Sequence, residues 1–110
     1  MDLEAARTLV LETFQLSPAA LSENFTADDD GYFVFWHHEK RFGRGALIVD
    51  PWERIHEVGS FGDVDVFIEM VAELGEAFTA TDFHAYLRAN GARISAAATA
   101  RRIRRDEKLR

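Results

Sequence analysis

Cysteine is absent from this chain of 110 residues. Its absence excludes disulfides, thiolate nucleophiles and zinc sites built on thiolates. Long apolar runs are also absent, since no stretch reaches the roughly 20 residues that a membrane-spanning helix needs. The N-terminus, MDLEAARTLVLETF, carries acids where a signal peptide carries basic residues. We therefore expect a cytoplasmic protein that does not associate with membranes.

Positive charge is scarce outside the C-terminal tail, although the whole chain has a net charge of −6. Residues 1–100 hold seventeen acidic and seven basic residues, whereas residues 101–110 hold six basic and two acidic ones. An acidic body disfavours nucleic acid and suits a basic partner protein. Nucleic acid is therefore expected to bind, if anywhere, only through the tail.

Turn and cap signals predict an α+β fold. Asp2 and Asp63 are positioned to cap a first helix and a later long helix, each followed by apolar residues at helical spacing. Between them lie strand-like segments joined by short turns, which predicts an antiparallel meander of three to four strands. The strand-like segments are Asn24 to Ala27, Tyr32 to His38, Ala46 to Asp50 and Arg54 to Val58.

The C-terminal part is predicted to be helical and interrupted. Thr81 and Ser95 can each cap a helix, and Asn90-Gly91 is a typical helix stop. We therefore expect a core domain over residues 1–78 and a helical extension over residues 79–110 that is not an independent domain.

Both faces of the predicted strand at Tyr32 to His38 are apolar, as are both faces of Ala46 to Asp50. A sheet with two apolar faces needs two covers. The two helices could supply one each, or a second copy of the chain or another protein could cover a face. A homodimer is thus one expectation.

The histidines are candidates for metal binding or general-base catalysis. Neighbouring side chains of a strand point to opposite faces, so His37 and His38 cannot hold one metal in a regular strand. His56 could approach one of them. We expect strand-end histidines with structural roles, no bound metal or other cofactor, and no enzymatic activity, because no nucleophile motif or phosphate loop is present.

A second candidate function is DNA binding by a helix-turn-helix-like unit over residues 81–105. The serine-capped second helix ends in arginines that could reach a major groove. The candidate contacts are Arg101, Arg102, Arg104 and Arg105. The match is imperfect, because Thr99 and Arg102 stand where a recognition helix needs apolar core residues.

An ordered series of motifs resembles one protein family. Asp30-Gly31 leads an aromatic strand, Gly43-Arg44-Gly45 leads a strand that ends in Val49-Asp50, and a third strand ends in Gly59-Ser60. Over about residues 3–74 this series resembles the thirty-fifth immunity-protein family of bacterial polymorphic-toxin systems. The helices after Phe78 extend beyond the pattern of that family.

The resemblance implies a protein that binds a cognate basic toxin and blocks it, without catalytic residues of its own. Such surfaces depend on a few aromatic and charged anchors. We expect the partner, a toxin or another protein, to contact Trp52, Glu53 and the acids Asp28, Asp29 and Asp30.

Overall fold

A computed structural model describes residues 1–38, 45–59, 63–78 and 83–108. The chain divides into two compact units, Met1–Gly62 and Asp63–Arg110. The boundary expected after residue 78 lies inside the second unit. Of the helices in the described ranges, none is long and apolar enough to cross a bilayer.

The first unit has the α+β order that the sequence predicts. A helix is followed by four antiparallel strands, in which neighbours in sequence are neighbours in the sheet. The prediction of a three- to four-stranded meander is confirmed. The elements are α1 (Leu3–Thr13), β1 (Leu21–Ala27), β2 (Phe33–His37), β3 (Ala46–Val49) and β4 (Ile55–Val58).

Helix α1 covers one face of the sheet. Its first turn is closed by Asp2, whose side chain accepts a hydrogen bond from the Ala5 N–H at 2.8 Å. Its buried side chains Ala6 and Val10 lie one helical turn apart and pack against the strands. The buried core of this unit contains Ala6, Val10, Leu21, Phe35, Leu47 and Val49. Val34 and Ile48, on the opposite face, are also fully buried.

The β1–β2 connection is a tight turn that depends on a glycine. The Asp28 N–H donates to the Tyr32 carbonyl at 2.9 Å, and the Gly31 N–H donates to the Asp28 carbonyl at 3.0 Å. This is a type I turn followed by a left-handed residue, a common way to join two antiparallel strands. Gly31 takes the left-handed position with φ of +94°, where the absence of a Cβ removes the steric penalty.

The β3–β4 connection repeats the same hydrogen-bond pattern with a different residue at the left-handed position. The Asp50 N–H donates to the Arg54 carbonyl at 2.9 Å, and the Glu53 N–H donates to the Asp50 carbonyl at 3.1 Å. Pro51 follows Asp50, where its fixed φ suits a type I turn. Glu53 has φ of +65°, so it occupies the position that Gly31 holds in the first hairpin.

Gly45 is required by a close approach at the start of β3. A Cβ added there would lie 2.4 Å from the Val58 carbonyl oxygen and 2.8 Å from the carbonyl carbon of Gly59. Any larger residue would therefore push the end of β4 away. The rest of the predicted turn at residues 41–44 lies outside the described residues.

The second unit is a helical hairpin. Asp63 caps α2 (Val64–Leu74) through hydrogen bonds from the Asp65 and Val66 N–H groups. A single helix, α3 (Phe83–Lys108), packs against α2. The predicted interruption at Asn90-Gly91 and the predicted helix start at Ser95 are wrong, because α3 runs through both. Thr81 lies outside the described residues.

The continuity of α3 has a physical explanation in its pairing with α2. A glycine within a helix costs about 1 kcal/mol relative to alanine, which alanine-rich flanks and tertiary contacts readily outweigh. Ile94 and Ala98 are buried one turn apart, and Arg101 continues the same stripe. The Asn90 side chain donates to the Tyr86 carbonyl at 3.1 Å, so it stays compatible with the helix rather than ending it.

Candidate functional site

The two hairpin loops meet at one end of the sheet. In a meander the first and third connections fall on the same side, and Gly31 lies against Pro51: a Cβ on Gly31 would sit 3.3 Å from Pro51 Cγ. The sequence-predicted partner contacts are therefore gathered in one place. We call this surface the acidic sheet end; it comprises Asp28, Asp29, Asp30, Trp52 and Glu53.

Asp50 holds the second loop of the acidic sheet end in place. Its buried carboxylate accepts hydrogen bonds from the backbone N–H groups of Trp52 and Arg54, both at 2.9 Å. Arg54 Nε donates to the same carboxylate at 2.7 Å, and His56 Nε2 lies 2.8 Å from it. One carboxylate thus fixes the backbone around Trp52 and the side chains of Arg54, just before β4, and His56, within β4.

The pKa of Asp50 reflects two opposing effects. Burial acts to raise the pKa, because it penalises the charged carboxylate. The hydrogen bonds from His56 and Arg54, together with the charge of Arg54, outweigh burial and leave the pKa of Asp50 below its ordinary value. The carboxylate is therefore ionised at neutral pH, the form that accepts all four contacts.

Trp52 presents an aromatic surface on a fixed loop. Its side chain is 39% exposed, and the guanidinium carbon of Arg54 lies 5.5 Å from the centre of the indole ring. Because Arg54 is also bound to Asp50, the indole is restrained on one side by a group that is itself held. Such an aromatic residue can bind a partner with little loss of conformational entropy.

Sequence reasoning missed Asp50 and Arg54 as supports of this site. The signal was present in the segment Asp50-Pro51-Trp52-Glu53-Arg54. An aspartate before a proline is typical of a turn in which the carboxylate accepts hydrogen bonds from backbone N–H groups two residues on. The pairing with Arg54 and His56 requires the strand register, which the sequence does not supply.

The net negative charge belongs to the first unit. Residues 1–62 contain eleven acidic and five basic residues, whereas residues 63–110 contain eight of each. The excess negative charge, which the sequence analysis assigned to residues 1–100, therefore lies in the first unit, the unit that contains the acidic sheet end.

The three candidate histidines are not brought together as metal ligands. His56 pairs with Asp50, while His37 is half-buried on the face that α1 covers, and His38 is exposed. No group of three potential metal ligands is found among the described residues. A cleft of about 220 Å³ next to His37 is lined by Phe14, Leu16, His37, Gly45, Ala46, Glu57 and Val58.

The arginines proposed to contact DNA are largely engaged within the second unit. Arg101 Nε lies 2.7 Å from Glu69, and Arg105 Nη2 lies 2.6 Å from Asp65. Arg102 contacts Asp63 at 3.1 Å and Asp65 at 3.3 Å. Arg104 is exposed. These ion pairs, together with the uninterrupted α3, do not favour DNA binding, which stays a prediction.

Ion pairs between α2 and α3 shift the pKa values of Arg102 and Glu73. The negative charge of Asp63 and its hydrogen bonds raise the pKa of Arg102. Hydrogen bonds from Arg93 and then Tyr86 lower the pKa of Glu73. Each acid of α2 that faces α3 therefore has a basic or hydroxyl partner, which fixes the register of the two helices.

Comparison with known proteins gives no relative. No family model matches the chain, and no curated protein or solved structure is significantly similar to it.

Proposed function

We propose that this chain is a non-enzymatic binding module that neutralises a basic toxin protein by direct contact, as bacterial immunity proteins do. The observation that carries the proposal is the acidic sheet end, where an exposed tryptophan on a fixed loop lies beside a turn with three successive aspartates. The likeness of the strand motifs to an immunity family supports the same assignment.

Charge supports a basic partner. The first unit holds all of the excess negative charge, and Asp29, Asp30 and Glu53 are exposed within the acidic sheet end. Complementary charge accelerates encounter and disfavours wrong partners. A toxin that acts on nucleic acid needs a basic surface to bind phosphates, so the chemistry of the acidic sheet end suits such a toxin.

Trp52 supports a specific contact rather than charge attraction alone. Binding energy in protein interfaces concentrates in a few residues, among which tryptophan is enriched. The hydrogen bonds of Asp50 hold the backbone of Trp52 before any partner arrives. We therefore assign Trp52 as the central anchor of the interface and the surrounding acids as its charged rim.

The backbone conformation of Glu53 supports a role for this loop, because it is one that favours glycine. A residue with a Cβ costs about 1–2 kcal/mol in the left-handed conformation, and the matching position of the other hairpin is a glycine. Residues in such conformations are enriched at functional sites. The glutamate at this position therefore suits a residue kept for its charge.

The test is capture of the partner from a lysate of the source organism by the tagged chain at moderate salt, with and without nuclease. We expect one basic protein in stoichiometric amount, retained after nuclease treatment and lost with Asp29→Lys. Co-expression of the chain should then relieve the growth inhibition that the captured protein causes.

The matched control is Glu12→Lys, which makes the same charge change at an exposed position of α1. This variant should retain the partner. Equal loss with both variants, recovery of nucleic acid that disappears with nuclease, or a captured protein that is harmless when expressed alone would each contradict the proposal.

A further inference from the structure

We propose that the outer edge of β1 accepts an extended segment of the same basic partner as an added antiparallel strand. This inference rests on the proposed function and concerns how the partner docks beside the acidic sheet end. Its geometry follows from the register of β1 against β2.

The backbone of β1 presents hydrogen-bonding groups on its outer side. In the described part of the chain the strand order is β1-β2-β3-β4, so β1 forms one edge of the sheet. The Asp28 N–H points to β2, where it donates to Tyr32. Because backbone groups alternate along an antiparallel strand, Thr26 also faces β2, while the N–H and carbonyl groups of Phe25 and Ala27 point outward.

The two halves of this edge differ in how they are guarded. Edge strands are commonly protected against pairing by bulges, charges or covering side chains. In β1 the register shifts between Leu21 and Phe25, and Arg7 Nη2 donates to the Ser22 carbonyl at 3.0 Å. The half from Phe25 to Ala27 keeps a regular register with β2. This half can therefore form about four backbone hydrogen bonds with an added strand, through the N–H and carbonyl groups of Phe25 and Ala27.

Phe25 provides an apolar contact at this half of the edge. It is paired with Phe35 across the sheet and shares the face that α1 covers. Phe35 is fully buried, with the Arg7 guanidinium 6.0 Å from its ring centre, whereas Phe25 is 46% exposed. An apolar side chain on the added strand opposite Phe25 would extend the core beneath α1 to the edge.

On the opposite face of the same edge, the nearby acids favour basic side chains on the added strand. Thr26 and Asp28 point to that face, and the β1–β2 turn that follows carries Asp29 and Asp30. The added strand would therefore alternate apolar residues on the Phe25 face with lysine or arginine on the other. A second copy of this chain is a poorer occupant, because it would bring the same acids to the same edge.

The test is titration of the isotope-labelled protein with the peptide acetyl-Lys-Val-Lys-Val-Lys-Val-Lys-amide, followed by amide resonances. We expect the Phe25 and Ala27 amides to shift and to exchange with solvent more slowly, because they become hydrogen-bonded. Ala27→Pro removes one outward N–H without touching the bonds to β2, and should weaken the peptide about tenfold. Ala27→Ser keeps the N–H and should bind as the parent does.

Several results would overturn the proposal. Shifts confined to the acidic sheet end, with equal affinity for Ala27→Pro and Ala27→Ser, would leave charge attraction without strand addition. The absence of any shift over residues 22–28 at millimolar peptide would remove the edge as a site. A dimer of the free protein that Ala27→Pro dissociates would assign the edge to self-association. Failure of the proposed function is separate, since it would appear as partner capture unaffected by Asp29→Lys.

Discussion

At the scale of single residues, Asp50 is the group that holds the Trp52 loop of the acidic sheet end in place. Its carboxylate is the acceptor for two backbone N–H groups and two side chains. Asp50→Asn places an amide nitrogen where an acceptor is needed and removes the negative charge that Arg54 Nε contacts. We expect a loss of about 2–3 kcal/mol in the free energy of unfolding, measured by urea with tryptophan fluorescence. Trp36 and Trp52 both lie in the first unit, so this signal reports on that unit.

The same carboxylate predicts a dependence of stability on pH. The folded-state pKa of Asp50 lies below its ordinary value of 3.8, so its stabilising effect is complete above that value and is lost as the pH falls through the folded-state pKa. The difference in unfolding free energy between the parent and Asp50→Asn should therefore shrink as the pH falls from about pH 5 to about pH 3. A difference that is the same at pH 7 and pH 3 would contradict the role of the ionised carboxylate.

Substitution of Glu53 is expected to change stability and affinity in opposite directions. Glu53→Gly relieves the cost of the left-handed conformation and should raise the free energy of unfolding by about 0.5–1 kcal/mol. The same substitution should lower the affinity for the captured partner, because it removes a negative charge from the interface. Urea unfolding and a binding isotherm on the same preparation measure both. Glu57→Gly, which places glycine within a strand instead, should lower stability. Stabilisation without any change in affinity would show that the side chain of Glu53 does not contact the partner.

Single residues also show what the sequence could predict of the site. Asp28, Asp29 and Asp30 form the turn that their type predicts, because acids before a glycine bond to nearby backbone groups. Trp52 was predicted as a contact and is exposed, but its role stays a prediction. Asp50 was missed because its partners Arg54 and His56 meet it only through the hairpin register, which is a property of the folded sheet.

At the scale of elements, the continuity of α3 through Gly91 predicts how an alanine at this position changes stability. In a helix, Gly91→Ala should raise the free energy of unfolding by about 1 kcal/mol, and the added methyl group would meet no atom within 4 Å apart from the neighbouring backbone of α3 itself. In a turn with positive φ the same change would destabilise the protein. Urea unfolding followed by circular dichroism at the helix band distinguishes the two, with Ala92→Gly, expected to lose about 1 kcal/mol, as the matched control.

The pairing of α2 with α3 predicts unequal effects for neighbouring arginines. The Arg101 side chain is 8% exposed and bonded to Glu69, whereas the Arg102 side chain is 48% exposed. Arg101→Met should cost about 2–3 kcal/mol, because it leaves the Glu69 carboxylate unpaired and largely buried. Arg102→Met should cost about 0.5 kcal/mol, as exposed ion pairs do. Equal losses in helix stability would contradict this account of the hairpin.

The elements also show where local signals suffice. The existence of the four strands and the α1 and α2 caps follows from strand-like residues, turns and capping residues that lie close together in sequence, although β1 begins at Leu21, before the predicted start at Asn24. The break predicted at Asn90-Gly91 is absent because a stop signal worth about 1 kcal/mol competes with a helix face that is buried and ion-paired along its length. Tertiary pairing of this kind cannot be read from one segment alone.

At the scale of the whole molecule, the two units differ in chemistry. The first carries the excess acid and an exposed tryptophan, Trp52. The second has balanced charge, and Arg93, Arg101, Arg102 and Arg105 form ion pairs within it. The excess acid and the basic tail therefore belong to different units, and the tail is part of a unit whose charges balance. A homodimer, expected from the two apolar faces of the sheet, stays a prediction.

The acidic sheet end is proposed to bind a basic protein, with Trp52 as the main contact. The most direct measurement is the dissociation constant of the captured partner for the parent, Trp52→Ala and the control Glu12→Lys, each shown to be folded by circular dichroism. We predict that Trp52→Ala weakens binding at least about thirtyfold, as expected for a central anchor, and that Glu12→Lys stays within about threefold, as expected for a charge outside the interface. Binding of Trp52→Ala that equals the parent, or a loss no larger than that of Glu12→Lys, would contradict the claim.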